Sequence, residues 1–195
     1  MEHYYSEHPK SLLNLKKIRH RIRDCDFEFY TGSAVFSKKR IDRGTIILAD
    51  NFIIDEHSKV LDIGCGIGVL GIVAARLIGA KVVMTDINSR AVMLAKKNVV
   101  LNKVNALVMH GNLYDAINDH DFDVILSNPP QNAGKKICFQ LIDESRQYLK
   151  DGASLQIVAR QNKGGKTLSN RMKDVFGNVA TVAKKSGYSV YLSKN

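Results

Sequence analysis

The chain has 195 residues, 45% of them apolar and 25% charged, and its 29 Lys and Arg against 19 acids leave a net charge of +10. That size suits one domain with a sheet buried between helices, and no apolar run is long enough to span a bilayer. Three widely spaced cysteines, Cys25, Cys65 and Cys138, form neither a disulfide framework nor a metal-ligand pattern.

The N-terminus, Met1-Glu2-His3-Tyr4-Tyr5, lacks the basic start and apolar core of a signal peptide, so a cytosolic, reducing location is expected. The excess of cations favours a polyanionic partner, with a merely basic surface as the alternative. The cations gather at Lys16-Lys17-Ile18-Arg19-His20-Arg21-Ile22-Arg23, at Lys38-Lys39-Arg40, and at Lys163, Lys166, Arg171 and Lys173. This distribution tips the choice towards nucleic acid.

Residues 1–25 read as a basic N-terminal extension and 26–195 as the domain. Alternation over 26–31 predicts a half-exposed strand, with Phe27 and Phe29 opposing Glu28 and Tyr30. Gly32-Ser33 turns the chain, and Thr45 to Phe52 reads as a helix. From residue 59 the pattern is regular. Val60 to Ile63 is a strand whose glycine loop opens an apolar helix, Val69 to Ile78, ended by Gly79. Strands follow at 81–85, 106–109, 124–127 and 155–159. Helices fall at 89–98 with Asn88 as the cap, at 136–149, and from Gly164-Gly165 to Gly177. Two last strands lie around Thr181 and Val190, joined through Gly187. Strands alternating with helices predict a mostly parallel α/β sheet covered on both faces, with its ligands beyond the carboxyl ends of the strands.

Four groups of residues collect on that edge. The loop Asp62-Ile63-Gly64-Cys65-Gly66-Ile67-Gly68 can cradle a nucleoside cofactor. Its Gly66, Gly68 and Gly71 also match the dinucleotide fingerprint, with Asp86 at the offset that grips a ribose, so a nicotinamide enzyme is a competing reading. The carboxylate of Asp62 opposes a pyrophosphate there but attracts the ammonium and sulfonium of S-adenosylmethionine. Asp86 suits both ribose hydroxyls, and Asn112 the adenine amino group. Asn128-Pro129-Pro130 closes the apolar run 122–127. The Asn128 side-chain oxygen and the Pro129 carbonyl can accept from a planar amine and free its lone pair, while Pro130 stiffens the turn. Glycine loop and Asn-Pro-Pro together point to methyl transfer from S-adenosylmethionine onto nitrogen by orientation and electrostatics, without a metal or a strong base. Cys65 reads as a small apolar packing residue, and His110 and His120 as structural. Phe36 is either a wall of the base pocket or a core residue.

Val35-Phe36-Ser37, the glycine loop, Asp86-Ile87-Asn88 and Asn128-Pro129-Pro130 together resemble the small-domain class I methyltransferases related to the bacterial small-subunit ribosomal RNA guanine-N2 methyltransferases, and especially their short archaeal relatives. The resemblance runs from about residue 26 to the end. It implies a Rossmann-like, seven-stranded sheet with the last strand antiparallel. It also implies S-adenosylmethionine contacts from Asp62, Gly64, Cys65, Gly66, Gly68, Asp86, Ile87 and Asn112, and a target amine at Asn128 and Pro129. Many amine methyltransferases place an aromatic after Asn-Pro-Pro to stack on the flipped base; Gln131 stands there in this chain. Relatives often carry Asp where this chain has Asn112, and the bacterial enzymes carry an additional N-terminal domain. The expected activity is N-methylation of an exocyclic guanine amine in RNA. Adenine, a protein glutamine, or RNA binding without catalysis are the alternatives, and the oligomeric state is left open.

Overall fold

In the computed structural model, residues 7–9, 11–36 and 40–195 are described. Met1 to Tyr5, Ser37 of the Val-Phe-Ser motif, and Lys38 and Lys39 of the second basic cluster lie outside the described residues.

Two apolar runs with almost no polar interruption form the middle of the sheet. These are β3 (Lys59–Ile63) and β6 (Phe122–Ser127), both nearly continuously buried, as parallel strands covered on two faces must be. On one side of β3 come β4 (Lys81–Asp86) and the edge strand β5 (Ala106–His110). On the other side of β6 come β7 (Leu149–Arg160), β9 (Tyr188–Lys194) and β8 (Ala180–Lys185). The order β5-β4-β3-β6-β7-β9-β8 is the expected seven-stranded sheet. The last strand, β9, is antiparallel to both of its neighbours. β7 is longer than the run 155–159 that sequence periodicity marks: its first residues include the exposed polar stretch 150–152, where pairing with β6 is interrupted by a register shift.

One face is covered by α1 (Arg43–Asn51), α2 (Val69–Ile78) and α3 (Ser89–Leu101). The other is covered by α4 (Lys135–Ser145) and α5 (Gly165–Phe176). The predicted helix 136–149 is thus shorter than expected: α4 ends at Ser145, a 3-10 turn follows, and Leu149 already begins β7. Gly79 and Gly177 end α2 and α5 in the left-handed conformation, as their positions suggested. Gly71 answers a different demand. A Cβ there would lie 2.6 Å from the Met84 sulfur and 2.9 Å from Val82 Cγ1, so its absence sets how closely α2 approaches β4.

Sequence reading assigned no element to residues 16–22. They form β1 (Lys16–Ile22), paired antiparallel along its whole length with β2 (Cys25–Thr31) in a separate two-stranded sheet. The free edge of β2 is satisfied by two asparagines one turn apart, Asn98 on α3 and Asn102 at its C-cap. Asn98 exchanges bonds with the Tyr30 backbone (2.6 and 3.0 Å), and Asn102 does so with Glu28 (3.4 and 2.8 Å). Phe27 and Phe29 are fully buried beneath. The hairpin is thereby bound to the domain rather than trailing from it.

Candidate active site

The chain order reverses between β3 and β6, and a cavity of about 330 Å³ opens at that point beyond their carboxyl ends. Gly64, Gly66, Asp86, Ile87 and Asn112 line one flank, and Asn128, Pro129 and Pro130 the other. Phe36 lines it too, half-buried between the alternatives that its sequence position left open. The Phe36 segment is held by the start of α3: Asn88 Nδ2 donates to the Ala34 carbonyl at 2.8 Å and Arg90 to that of Ser33 at 3.0 Å.

The glycine loop and Asp62 act as one unit. Gly64, Gly66 and Gly68 all have positive φ, between 57° and 87°. A Cβ on Gly64 or Gly66 would touch nothing within 4 Å, so the loop borders open space that a ligand can fill. Gly68 is outside the lining of the cavity between the glycine loop and the Asn-Pro-Pro turn; it is the N-cap of α2 and offers no side chain to the free amides there. Asp62 supplies the acceptor instead, taking the Gly71 amide on Oδ2 at 3.0 Å. Its other oxygen, Oδ1, is buried and has no partner, alone among buried side-chain polar atoms of the described residues. Burial, and then repulsion from Asp86, push this carboxyl up to about 7, while the Gly71 bond works in the opposite direction. Asp62 lines a smaller cavity of about 30 Å³ that shares Gly64, Gly66, Phe36 and Asn128 with the larger one. An orphaned carboxylate oxygen at that position fits a cationic donor such as an ammonium.

Asp86 ends β4 with each oxygen already accepting one backbone amide, Oδ2 from Gly66 and Oδ1 from Asn88, both at 2.8 Å. Burial raises its pKa, and these two bonds and His110 hold the rise back. Each oxygen keeps a lone pair, which suits two hydroxyls on adjacent carbons. Beside it, Ile87, Leu113, Ile137 and Leu141 make an apolar wall suited to an aromatic ring. The last three escaped sequence reading. Ile137 and Leu141 are one turn apart on α4 and read as ordinary core spacing. Cys65 lines only the small cavity, and burial pushes its thiol pKa up, which suits packing rather than nucleophilic work.

Asn128 is the most constrained side chain of the site. Both amide hydrogens are used, one on Asp42 Oδ2 at 3.0 Å and one on Thr45 Oγ1 at 2.9 Å. The side-chain oxygen is therefore the atom left for a ligand. Asp42 also caps α1 through the Gly44 and Thr45 amides, at 2.8 and 3.3 Å. Neither Asp42 nor Thr45 was singled out in the sequence. Their only signal is an N-cap acid, which local reading assigns to the helix alone. Pro130, at φ −76° and ψ 72°, is the centre of an inverse γ-turn in which the Gln131 amide donates to the Pro129 carbonyl at 2.8 Å. That carbonyl retains its second lone pair. Gln131 is not among the residues lining the cavity beside Asn128: its amide donates to the Lys163 carbonyl (2.9 Å) and accepts from Arg160 (2.8 Å), tying the Asn-Pro-Pro turn to the β7–α5 loop.

His110 bonds the Ile87 carbonyl at 2.8 Å, and His120 that of Gln147 at 3.0 Å, where it stacks on Tyr148. Among the described residues no group of three His, Cys, Asp or Glu is arranged to hold a metal, and no helix is long and apolar enough to cross a membrane.

A seven-stranded sheet with β9 inserted antiparallel, and a cavity between a glycine loop and an Asn-Pro-Pro turn, define a Rossmann-like scaffold of the class I methyltransferase type. The chain belongs to the methyltransferase small domain family, whose pattern matches residues 26–192. It is 35% identical to the uncharacterised Bacillus subtilis protein YbxB, over 99% of this chain and 98% of that protein. It is also 34% identical to the Pseudomonas putida ribosomal RNA small subunit methyltransferase C, over 87% of this chain but only 52% of that protein. The chain therefore spans about half the length of the curated relatives that carry this name. Among solved structures, the Thermus thermophilus 16S rRNA guanine-N2 methyltransferase RsmC, in complex with AdoMet and guanosine, superimposes with a TM-score of 0.82 at 23% identity. That match covers 95% of this chain and 52% of that one, and carries the fold.

Proposed function

We propose that this chain is a cytosolic S-adenosylmethionine-dependent methyltransferase acting on the exocyclic amine of a guanine in ribosomal RNA. The observation that carries the reading is the Asn128 amide, whose hydrogens are tied to Asp42 and Thr45 so that its oxygen is left for a donor beside the cavity. Family membership, and the ribosomal RNA relatives at 30–34% identity, support the class of substrate.

Bound in the cavity, the cofactor supplies an electrophilic methyl group. Asp62 and the glycine loop receive its amino-acid end, Asp86 its ribose hydroxyls, and Ile87, Leu113 and Asn112 its adenine. Asn128 Oδ1 and the Pro129 carbonyl accept the two hydrogens of the target amine, drawing it towards tetrahedral geometry and releasing its lone pair. Phe36 provides the apolar surface against which an unstacked base can lie. Gln131, in place of a stacking aromatic, holds the turn that aims the Pro129 carbonyl. The test is incubation with methyl-labelled S-adenosylmethionine and unmodified ribosomal RNA, followed by nucleoside analysis. Label in N2-methylguanosine is the expected result. Label in N6-methyladenosine would overturn the choice of base, and absence of label despite cofactor binding would overturn the activity.

The orientation of Asn128 gives a separate expectation. Thr45→Val keeps the shape of the side chain but removes the Oγ1 that accepts from Asn128. Turnover is expected to fall about tenfold, with cofactor affinity and melting temperature nearly unchanged. Steady-state kinetics beside calorimetric binding checks this; matching losses in both would make Thr45 a packing residue only.

A further inference from the structure

Cations that look alike in the sequence fall into two different electrostatic states in the fold. On the β1–β2 hairpin most of them, Lys16 excepted, are already engaged by carboxylates or backbone carbonyls. Lys17 and Arg19 both pair with Glu28 at 2.6 Å, and Arg21 lies 3.7 Å from Asp24. Arg23 donates to the carbonyls of Ala49 and Phe52 at the end of α1. Arg171 of the third sequence cluster forms a two-pronged pair with Asp143, both contacts at 2.6 Å.

On a line running from the cavity to the β8 edge of the sheet the opposite holds. Lys135 and Lys136 begin α4 just after the Asn-Pro-Pro turn, Arg160 and Lys163 lie at the β7–α5 loop, and Lys184 and Lys185 end β8. All six are exposed, and none has an ion pair with any described residue. The three segments are stitched into one ridge. Gln131 bonds the backbone of Arg160 and Lys163, and Lys163 Nζ lies 3.2 Å from Asn132 Oδ1. The Gln161 amide donates to the Gly187 carbonyl at 2.9 Å, and Arg160 and Lys185 both stand opposite Tyr188 in register. The ridge thus starts beside Asn128 and crosses the carboxyl end of β7, the amino end of β9 and the carboxyl end of β8, a width of roughly 14 Å at the usual interstrand spacing.

We propose that this ridge, and not the basic hairpin, is the surface that receives the phosphates of the substrate RNA. The inference rests on the RNA reading given above. Unpaired cations release counterions from a polyanion, whereas cations already paired with carboxylates must first give up those partners. A strand bound along the ridge delivers a nucleotide at its inner end to Asn128.

The experiment measures affinity for an unmodified small-subunit ribosomal RNA transcript by fluorescence anisotropy at several salt concentrations. One variant combines Arg160→Ala, Lys163→Ala, Lys184→Ala and Lys185→Ala; the other combines Lys17→Ala, Arg19→Ala and Arg21→Ala. None of these side chains lines the cavity, so S-adenosylmethionine affinity measured alongside reports that each variant is folded. The ridge variant is expected to bind at least about tenfold more weakly and to flatten the dependence of log affinity on log salt by about three. The hairpin variant should shift affinity by less than about twofold. Equal effects from both variants, or a larger one from the hairpin, would overturn the assignment while leaving the RNA substrate standing. A wild-type protein with no salt-dependent RNA binding would remove the substrate and the ridge together.

Discussion

Replacing Asn128 with alanine is expected to lower turnover by about 10²–10³-fold, the usual loss when one preorganised polar group is removed from a transition state. Affinity for S-adenosylmethionine should change by less than about twofold. The asymmetry follows from the geometry: Asn128 closes the flank of the cavity opposite Asp86, Ile87 and Asn112, which are set to receive the nucleoside. Asn128→Asp sharpens the test, because it keeps an acceptor oxygen but loses both hydrogens. The carboxylate would then face Asp42 Oδ2, now 3.0 Å from Asn128 Nδ2, so like charges meet where a hydrogen bond stood, and Thr45 could hold it only by reversing its hydroxyl into a donor. Turnover of this variant should also be low, although its side chain has almost the same size. Comparing kcat with calorimetric cofactor affinity decides the matter. If Asn128→Ala lost both in equal measure, the residue would belong to the cofactor site and the assigned role would be wrong.

Residues whose role is local were legible in the sequence, and residues whose role is set across the fold were not. Asn88 reads as a cap because the helix it begins is its immediate neighbour, and it accepts from the Arg90 and Ala91 amides as expected. Gly64 and Gly66 read as a loop because their conformation is their own property. The α/β order was equally visible, since apolar strands and amphipathic helices alternate from residue 59 onward. Asp42 is legible only as a helix cap, because its bond to Asn128 spans 86 positions. The β1 strand was hidden for a similar reason. Its residues are mostly exposed and charged, and the hairpin depends on Asn98 of α3 and Asn102 at the helix end, which look like poor helix formers until their bonds to β2 are seen. The same limit applies to the cations. Sequence clustering set Lys16 to Arg23 beside the other basic runs without distinction, and only the ion pairs of Lys17, Arg19 and Arg21 in the fold separate them from the unpaired cations of the ridge.

Cofactor affinity should also depend on pH in a way that isolates Asp62. Its carboxyl, buried and repelled by Asp86, is pushed from 3.8 to about 7 in the protein. A pKa raised on folding means that the native state holds the proton over that interval. The resulting stability is fully present below the unfolded value and is lost as pH rises through the folded one. The whole effect is on the order of 4 kcal/mol. Above pH ~7 the cofactor-free protein therefore buries a charge whose Oδ1 has no partner. An ammonium placed there favours the carboxylate, so binding releases a proton at lower pH. Affinity is then expected to fall by up to about tenfold for each pH unit below ~7. It should fall again above about 8, where an α-amino group loses its own proton. Asp62→Asn is nearly isosteric and removes the titration. That variant should bind the cofactor about 100-fold more weakly, with the acid limb of the profile gone, and its own stability should no longer decline as pH rises from about 4 to ~7. Calorimetric affinity across the range, with denaturant melts of the cofactor-free proteins, reads both effects. A wild-type profile that is flat below 7, or an acid limb that survives in Asp62→Asn, would show that the unpartnered carboxylate is not the receptor for the cofactor's cationic end.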